Sequence, residues 1–324
     1  MASEPLSAFA ALGEREETVE ITALVPVYNE AENLAPLLTK LTADLRALGR
    51  SYEILIIDDG STDGTLEALR GLRAAVAHLR LISFRRNHGK SAALSVGFRE
   101  SRGRFIVTMD GDLQDDSAEI GPLLRKMDEG YDLVSGWKQK RKDPITKTVP
   151  SKLFNAVTSV MTGVRLHDMN CGLKAYRAEV ARSILLRGEL HRFIPVLAHW
   201  NGYRVGEIRT AHHPRLHGRT KFGASRFVNG FLDLLTVMFL TTSAHRPLHL
   251  FGRVGILFAV LGAGILVWFT WPWLQGHGLR LRPALLFGAV LMILGLQFLS
   301  MGFLGELIAG LQDRGADYSI RERF

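Results

Sequence analysis

The stretch Phe105-Ile-Val-Thr-Met-Asp-Gly-Asp-Leu-Gln-Asp-Asp116 decides how the chain is read. Its apolar half, Phe105 to Met109, predicts a short buried strand that runs directly into Asp110, Asp112 and Gln114. Hard oxygen ligands therefore cluster where a strand ends, which is where open α/β sheets bind ligands. Oxygen-only ligands favour Mg²⁺ or Mn²⁺ over Zn²⁺, and a site with so few protein ligands completes its shell with water and substrate phosphate. The stretch points to a metal-diphosphate site. A lone D-x-D also describes a solvated acidic turn, so the reading depends on the rest of the chain.

Upstream, Ile21 to Val27 is an apolar run ending in Tyr28-Asn-Glu30, and the spacing of Leu34, Leu37, Leu38, Leu41, Leu45 and Leu48 predicts a helix from Ala31 to Leu48, stopped by Gly49. Tyr52 to Ile57 predicts a second buried strand, Asp58 to Gly64 a turn, and Thr65 to His78 a helix. Leu79 to Phe84 predicts a third strand, and Lys90 to Arg102 a helix leading into Phe105. Such alternation means a mostly parallel sheet covered on both faces. Spacing removes several ligand classes. No G-x-G-x-x-G follows the first strand, against a dinucleotide fold of the usual kind. Gly89-Lys-Ser91 resembles the end of a P-loop, but Phe84 stands where that loop needs its first glycine. Asp59 to Gly64 begins like a calcium loop, yet its twelfth position is Arg70 and no helix precedes it.

The 324 residues carry a formal charge of +8, which favours an anionic partner. A single cysteine, Cys171, excludes an intrachain disulfide and a Cys-rich zinc site. The segment Met1 to Glu20 holds Glu4, Glu14, Glu16 and Glu17 without an apolar core and does not read as a signal peptide. Val254 to Trp273 is uncharged, as is Ala284 to Leu304, and each is long enough to cross a hydrocarbon core of about 30 Å as a helix. With Trp268, Trp271 and Trp273 as an interfacial belt, the two predict a membrane hairpin. Its loop holds Arg280 and Arg282. Arg226, Arg246 and Arg253 flank one end and Arg314, Arg321 and Arg323 the other, so both termini are expected in the cytoplasm. The apolar repeat Phe227, Phe231, Leu234, Leu235, Met238 and Phe239 suits a helix lying in the headgroup plane, and Gly255, Ala259 and Ala263 form a small-residue stripe for packing within the hairpin or between protomers.

Four segments at strand ends, Val25-Pro-Val-Tyr-Asn-Glu30, Asp58-Asp-Gly-Ser-Thr-Asp63, Arg86-Asn-His-Gly-Lys90 and Asp110-Gly-Asp-Leu-Gln114, together resemble the nucleotide-sugar-binding half of family 2 glycosyltransferases with the GT-A fold. The resemblance implies that Pro26, Tyr28, Glu30 and Asp58 line a nucleoside pocket, with Asp59 and Lys90 also on the donor side. It further implies that Asp110 and Asp112 hold the donor and a Mg²⁺ or Mn²⁺ ion, and that Gln114 joins the metal shell. Further segments, Asp168 to Arg177, Glu189-Leu-His-Arg-Phe-Ile-Pro195 and Arg215 to Gly223, look like the later motifs of polyisoprenyl-phosphate glycosyltransferases, the group that includes dolichol-phosphate mannose synthases and bacterial relatives. By that likeness Asp110, Asp112 and Arg192 are catalytic and His191 reaches the donor diphosphate. Arg215 and Lys221 close over the donor, and Arg141, Ser151, Lys152 and Arg219 take the acceptor phosphate. Phe222 stands where the pattern has Tyr, which removes a phenol hydroxyl from that loop. His212, His213 and His217 lack the acid or Cys that would complete a metal set and read as loop surface.

The expected organisation is an N-terminal segment (1–20), a cytoplasmic GT-A domain (21–225), a juxtamembrane amphipathic helix (226–247), two transmembrane helices (248–310) and a tail (311–324). The expected activity is inverting, metal-dependent transfer of a hexose, UDP-glucose first, to undecaprenyl phosphate at the cytoplasmic face of a bacterial plasma membrane. Expected partners are the nucleotide diphosphate sugar, the polyprenyl phosphate, the bilayer and further copies of the chain, with no nucleic acid. GDP-mannose is the rival donor, and a non-catalytic nucleotide-sugar-binding membrane scaffold the rival class. A processive synthase is disfavoured by the absence of Gln-x-x-Arg-Trp.

Overall fold

The computed structural model describes residues 19–138, 155, 157–213, 234, 236–239, 247–276 and 283–312, in two units divided between Asn229 and Gly230. The first unit is built on a seven-stranded sheet. Its strands are β1 (Ile21–Val27), β2 (Tyr52–Asp58), β3 (Leu79–Ser83), β4 (Phe105–Thr108), β5 (Leu133–Lys138), β6 (Lys174–Arg177) and β7 (Val205–Thr210), in spatial order β3-β2-β1-β4-β6-β5-β7. The helices are α1 (Leu34–Ala47), α2 (Thr65–Arg73), α3 (Lys90–Glu100), α4 (Ile120–Asp128), α5 (Ala178–Ser183) and α6 (Ile194–Trp200).

Period-two alternation is absent from the central strands because both faces are covered. Ile21, Ala23, Val25, Ile54 and Ile56 join Leu34, Leu37, Leu38, Leu41 and Leu45 of α1 in one core. Leu24 points the other way, against α3, where a Cβ on Gly97 would meet Leu24 Cδ1 at 2.4 Å, so only glycine lets that helix approach. Each such fully buried Leu or Ile contributes about 1.5–3 kcal/mol.

The first four strands are parallel, β2 to β1 and β3, and β1 to β4. The mostly parallel expectation holds with one exception: β6 runs antiparallel to both β4 and β5, pairing Thr108 with Lys174, while β7 returns parallel to β5. Lys174-Ala-Tyr-Arg177 is too short to show a period, and its direction follows from where the chain re-enters the sheet. This one reversed strand brings Cys171-Gly-Leu-Lys174 beside the carboxyl end of β4. Helix α2 stops at Arg73 rather than His78, and His78 sits at φ 61°, turning the chain into β3.

The second unit contains α7 (Pro247–Leu274) and α8 (Pro283–Gln312), each long and apolar enough to cross a membrane. Only 17% and 11% of their most apolar windows are buried, so these are not core helices of a soluble protein, and a lipid phase is the medium that covers such surface. Glycines form the seam between them. A Cβ on Gly295 would lie 2.6 Å from Ala259 N, one on Gly255 2.8 Å from Gly295 O, and one on Gly262 2.7 Å from Gly288 O. The small-residue stripe thus packs inside the hairpin. The Leu248 N–H donates to Glu306 Oε2 at 3.2 Å at its base. Trp268, Trp271 and Trp273 are all exposed. Most of the predicted amphipathic helix lies outside the described residues.

A candidate donor site at the carboxyl ends of β1, β2 and β4

Three loops leave the sheet side by side. After β1, Asn29 takes φ 55°, and its N–H donates to Ser61 Oγ at 2.9 Å while Asn29 Oδ1 accepts from the Thr62 N–H at 2.8 Å. The Glu30 N–H donates to Thr65 Oγ1, and Glu30 Oε2 accepts from Asn33 at 2.6 Å. The first loop is thereby fastened to the second. Asp58 closes β2 with its carboxylate buried, accepting from Ser83 Oγ at 2.7 Å and the Ser61 N–H at 3.1 Å. Asp59 turns to the third loop and accepts from the N–H groups of His88 (2.7 Å) and Gly89 (2.8 Å) and from Asn87 Nδ2 (3.0 Å). Both its oxygens are thus engaged in fixing the approach to Lys90. Gly60, at φ +70°, permits this closeness: a Cβ there would lie 2.4 Å from the Arg86 carbonyl carbon.

Past β4, Leu113 at φ 61° folds the acidic turn back, and the Gln114 N–H donates to Asp112 Oδ1 at 3.2 Å. Asp110 forms an ion pair with Lys90 at the start of α3. Burial would raise the Asp110 pKa, but the charges of Lys90 and Lys138 prevail and hold it far below the usual carboxylate range. Gly172 backs this carboxylate so closely that a Cβ would lie 2.5 Å from Asp110 Oδ2. Beneath it, Lys138 and Asp115 form a buried pair at 2.8 Å. Asp116 binds Lys40 at 2.7 Å and His213 at 3.0 Å, and the His213 N–H donates to Gln114 O at 2.9 Å, laying residues 211–213 along the acidic turn.

His191 reaches the same place from the turn before α6. Its N–H donates to Ser91 Oγ at 3.2 Å, and the Ser91 hydroxyl faces its Nδ1 at 3.0 Å. Burial first, then the charges of Lys90 and Arg192, push the His191 pKa down to about 2, so the imidazole is neutral at pH 7. Arg192 is buried and paired with Glu189 at 2.7 Å. A small cavity is lined by Lys90, Asp110, Asn170, Lys174, Tyr176 and His191, with Pro26, Leu94, Met109 and Ile194 in its wall.

The structure therefore gathers Pro26, Lys90, Asp110 and His191 around one cavity, with Asp112, Gln114 and Arg192 in the adjoining segments and Tyr28, Glu30, Asp58 and Asp59 on the neighbouring loops. Arg141, Ser151, Lys152, Arg215, Arg219 and Lys221 lie outside the described residues. The oxygen donors of Asp110, Asp112 and Gln114 suit Mg²⁺ or Mn²⁺. Among the described residues no three His, Cys, Asp or Glu side chains gather for a metal. Sequence reasoning passed over Ser91, Lys138, Asn170, Gly172, Lys174 and Tyr176. Of these, Asn170, Gly172, Lys174 and Tyr176 line the cavity with Asp110, and it is the reversed β6 that carries them there.

The profile described as "Glycosyl transferase family 2" matches residues 22–185. The chain is 37% identical to dodecaprenyl-phosphate galacturonate synthase of Rhizobium johnstonii, over 95% of this chain and 94% of that one. It is 38% identical to undecaprenyl-phosphate 4-deoxy-4-formamido-L-arabinose transferase of Pseudomonas paraeruginosa, over 94% and 88%. Neither name carries glucose. Among solved structures, glucosyl-3-phosphoglycerate synthase from Mycobacterium tuberculosis, in complex with Mn²⁺, UDP and glucosyl-3-phosphoglycerate, aligns with a TM-score of 0.53 at 16% identity over 74% of this chain and 86% of that one. Mannosyl-3-phosphoglycerate synthase from Rubrobacter xylanophilus aligns at 0.54 and 17%, over 68% and 74%. These likenesses fix the fold as GT-A. With a family profile spanning half its length and relatives matching from end to end, the chain belongs to glycosyl transferase family 2.

Proposed function

We propose that this protein transfers a sugar from a nucleotide diphosphate sugar to a polyprenyl phosphate at the cytoplasmic face of a bacterial plasma membrane. The observation that carries the reading is the end-to-end match to a dodecaprenyl-phosphate galacturonate synthase, which spans the sheet and the apolar hairpin alike. The hairpin gives the chain a place in the membrane where a lipid acceptor resides. Preference for UDP-glucose is withdrawn, because the sugars in the relatives' names are galacturonate and a formamido-arabinose.

In this reading Pro26, Tyr28, Glu30 and Asp58 line the nucleoside pocket, and Asp59 acts by holding the loop that presents Lys90. An oxygen of the acceptor phosphate attacks the anomeric carbon, the bond to the diphosphate breaks, and the nucleoside diphosphate leaves with the electron pair, inverting the centre. A phosphate monoester has a second pKa of about 6, so the nucleophile is already ionised at pH 7 and needs little general-base help. That fits a site whose histidine, His191, is held neutral. Asp110, Asp112 and Gln114 would hold Mg²⁺ or Mn²⁺, which supplies charge neutralisation of the leaving diphosphate. Arg192 stands near the reaction centre, Arg215 and Lys221 close over the donor, and Arg141, Ser151, Lys152 and Arg219 meet the acceptor phosphate.

The test mixes detergent-purified protein with Mn²⁺, undecaprenyl phosphate and nucleotide sugars in separate reactions, follows sugar into the lipid phase, and uses Asp112→Asn as the blank. Transfer abolished in the variant is the expected result. Metal-dependent nucleotide-sugar binding without transfer to any polyprenyl phosphate would favour the scaffold reading.

A further inference from the structure

The acidic turn holds more carboxylates than a metal-diphosphate site uses, and the structure separates them. Asp110 lines the cavity, whereas Asp115, five residues on, is turned into the protein, with its side chain 1% exposed and no share in the cavity wall. Asp110 lies just past both ladders of β4, which end at Thr108, and its N–H donates to Asp115 Oδ2 at 3.3 Å. That one bond closes residues 110–115 into a ring that starts at the main chain of Asp110.

Asp115 is itself held from two sides of the sheet. Its other oxygen pairs with Lys138 at 2.8 Å, at the end of β5, and its main chain bridges to His212, just beyond β7. Lys138 and Thr210 stand opposite each other in the β5–β7 ladder, so both anchors belong to one rigid frame. Burial would lower the Lys138 pKa, but the charge of Asp115 outweighs it, and the lysine remains the counter-charge that lets this carboxylate be buried. A site is precise when the groups behind its ligands are locked in this way. We infer that Asp115 is a positioning residue of the donor site: it fixes the main chain of Asp110, and through it the carboxylate offered to Mg²⁺ or Mn²⁺, without touching substrate itself. The inference rests on the proposed transferase reading for the role of Asp110.

The experiment compares two double variants of the full-length protein in detergent. Asp115→Asn with Lys138→Met removes both buried charges but keeps a side-chain oxygen for the Asp110 N–H. Asp115→Leu with Lys138→Met removes the charges and the acceptor at similar volume, so neither variant strands a buried charge. Calorimetry measures binding of UDP, and of GDP in parallel, with and without Mn²⁺. The Leu variant should bind nucleotide in Mn²⁺ about 3- to 10-fold more weakly than the Asn variant, the worth of one neutral hydrogen bond, because binding must then draw Asp110 into place unaided. Without Mn²⁺ the two should bind alike. Equal affinity of the two folded variants in Mn²⁺ would overturn the inference, as would a loss of the same size with and without the metal. Residue-resolved hydrogen exchange on the wild-type protein supplies a check that needs no variant: the Asp110 amide should be protected, and exchange at the rate of an open loop would overturn the inference. Wild-type protein without Mn²⁺-dependent binding of either nucleotide would refute the transferase reading and this inference with it. A Leu variant weakened as expected, beside a wild-type protein that transfers no sugar to polyprenyl phosphate, would sustain the inference while refuting the transferase reading.

Discussion

Replacing Gly172 by alanine tests whether the position of one carboxylate governs the chemistry. A Cβ at this position would lie 2.5 Å from Asp110 Oδ2, 2.6 Å from Cγ and 2.8 Å from Oδ1, whereas ordinary contact begins at 3.4 Å. Relieving the closest approach moves the carboxylate by about 0.9 Å, the difference between 3.4 and 2.5 Å. Asp110 must yield, because Gly172 is anchored through its carbonyl, which accepts from Thr108 Oγ1 at 2.9 Å, and the strand behind it is fully paired. A displacement near 1 Å in a reacting constellation costs about 100-fold in rate, or about 2.7 kcal/mol at 1.36 kcal/mol per decade. Overpacking costs about 1–3 kcal/mol of stability, which a domain of this size tolerates. Gly172→Ala should therefore fold, bind the membrane and lose about 100-fold in kcat/KM for sugar transfer. Gly71→Ala, on α2 with open space around it, should leave the rate unchanged and raise stability by about 0.5–1 kcal/mol. Wild-type kcat/KM in a folded Gly172→Ala protein would refute the reasoning, because the Asp110 carboxylate would then be free to move without consequence.

Asp59→Ala strips acceptors from the His88 and Gly89 N–H groups and from Asn87, and should lower stability by about 2–4 kcal/mol while raising KM for the donor through the displaced Lys90 loop. Thermal unfolding in detergent and donor titration measure the two effects. Burial would raise the Glu53 pKa from its ordinary 4.5, but the Thr22 hydroxyl, the Arg102 N–H and Arg80 outweigh it and hold the carboxyl below that value. Its stabilising contribution is therefore complete above pH 4.5 and is lost as pH falls toward the depressed folded value, so the stability gap between wild type and Glu53→Gln should close on acidification. A gap that stays constant from pH 7 to 3 would rule this out. Gly295→Val places side chain where the Ala259 backbone N lies 2.6 Å from a Cβ, and should separate the hairpin and lower the yield of membrane-extracted protein. An unchanged yield and melting temperature would show that the seam is not a tight contact.

Much of this protein was legible from local signals. The apolar runs at Ile21, Tyr52, Leu79 and Phe105 named the first four strands because each is buried on both faces and so reads as a continuous hydrophobic segment. The same runs placed Asp58 and Asp110 at strand ends, and two long uncharged stretches named the hairpin, since length and hydropathy alone decide that question. Tertiary structure decided what no local pattern encodes. Asp58 and Asp59 are neighbours in a turn, yet one carboxylate caps β2 and the other holds a loop almost thirty residues away. The direction of β6 depends on the path of the chain between β5 and β6, and its four residues carry no period of their own. That direction brings Gly172 against Asp110 and buries Lys174 in the wall of the same cavity. A sequence shows which residues are charged; only packing shows which of those charges have been matched.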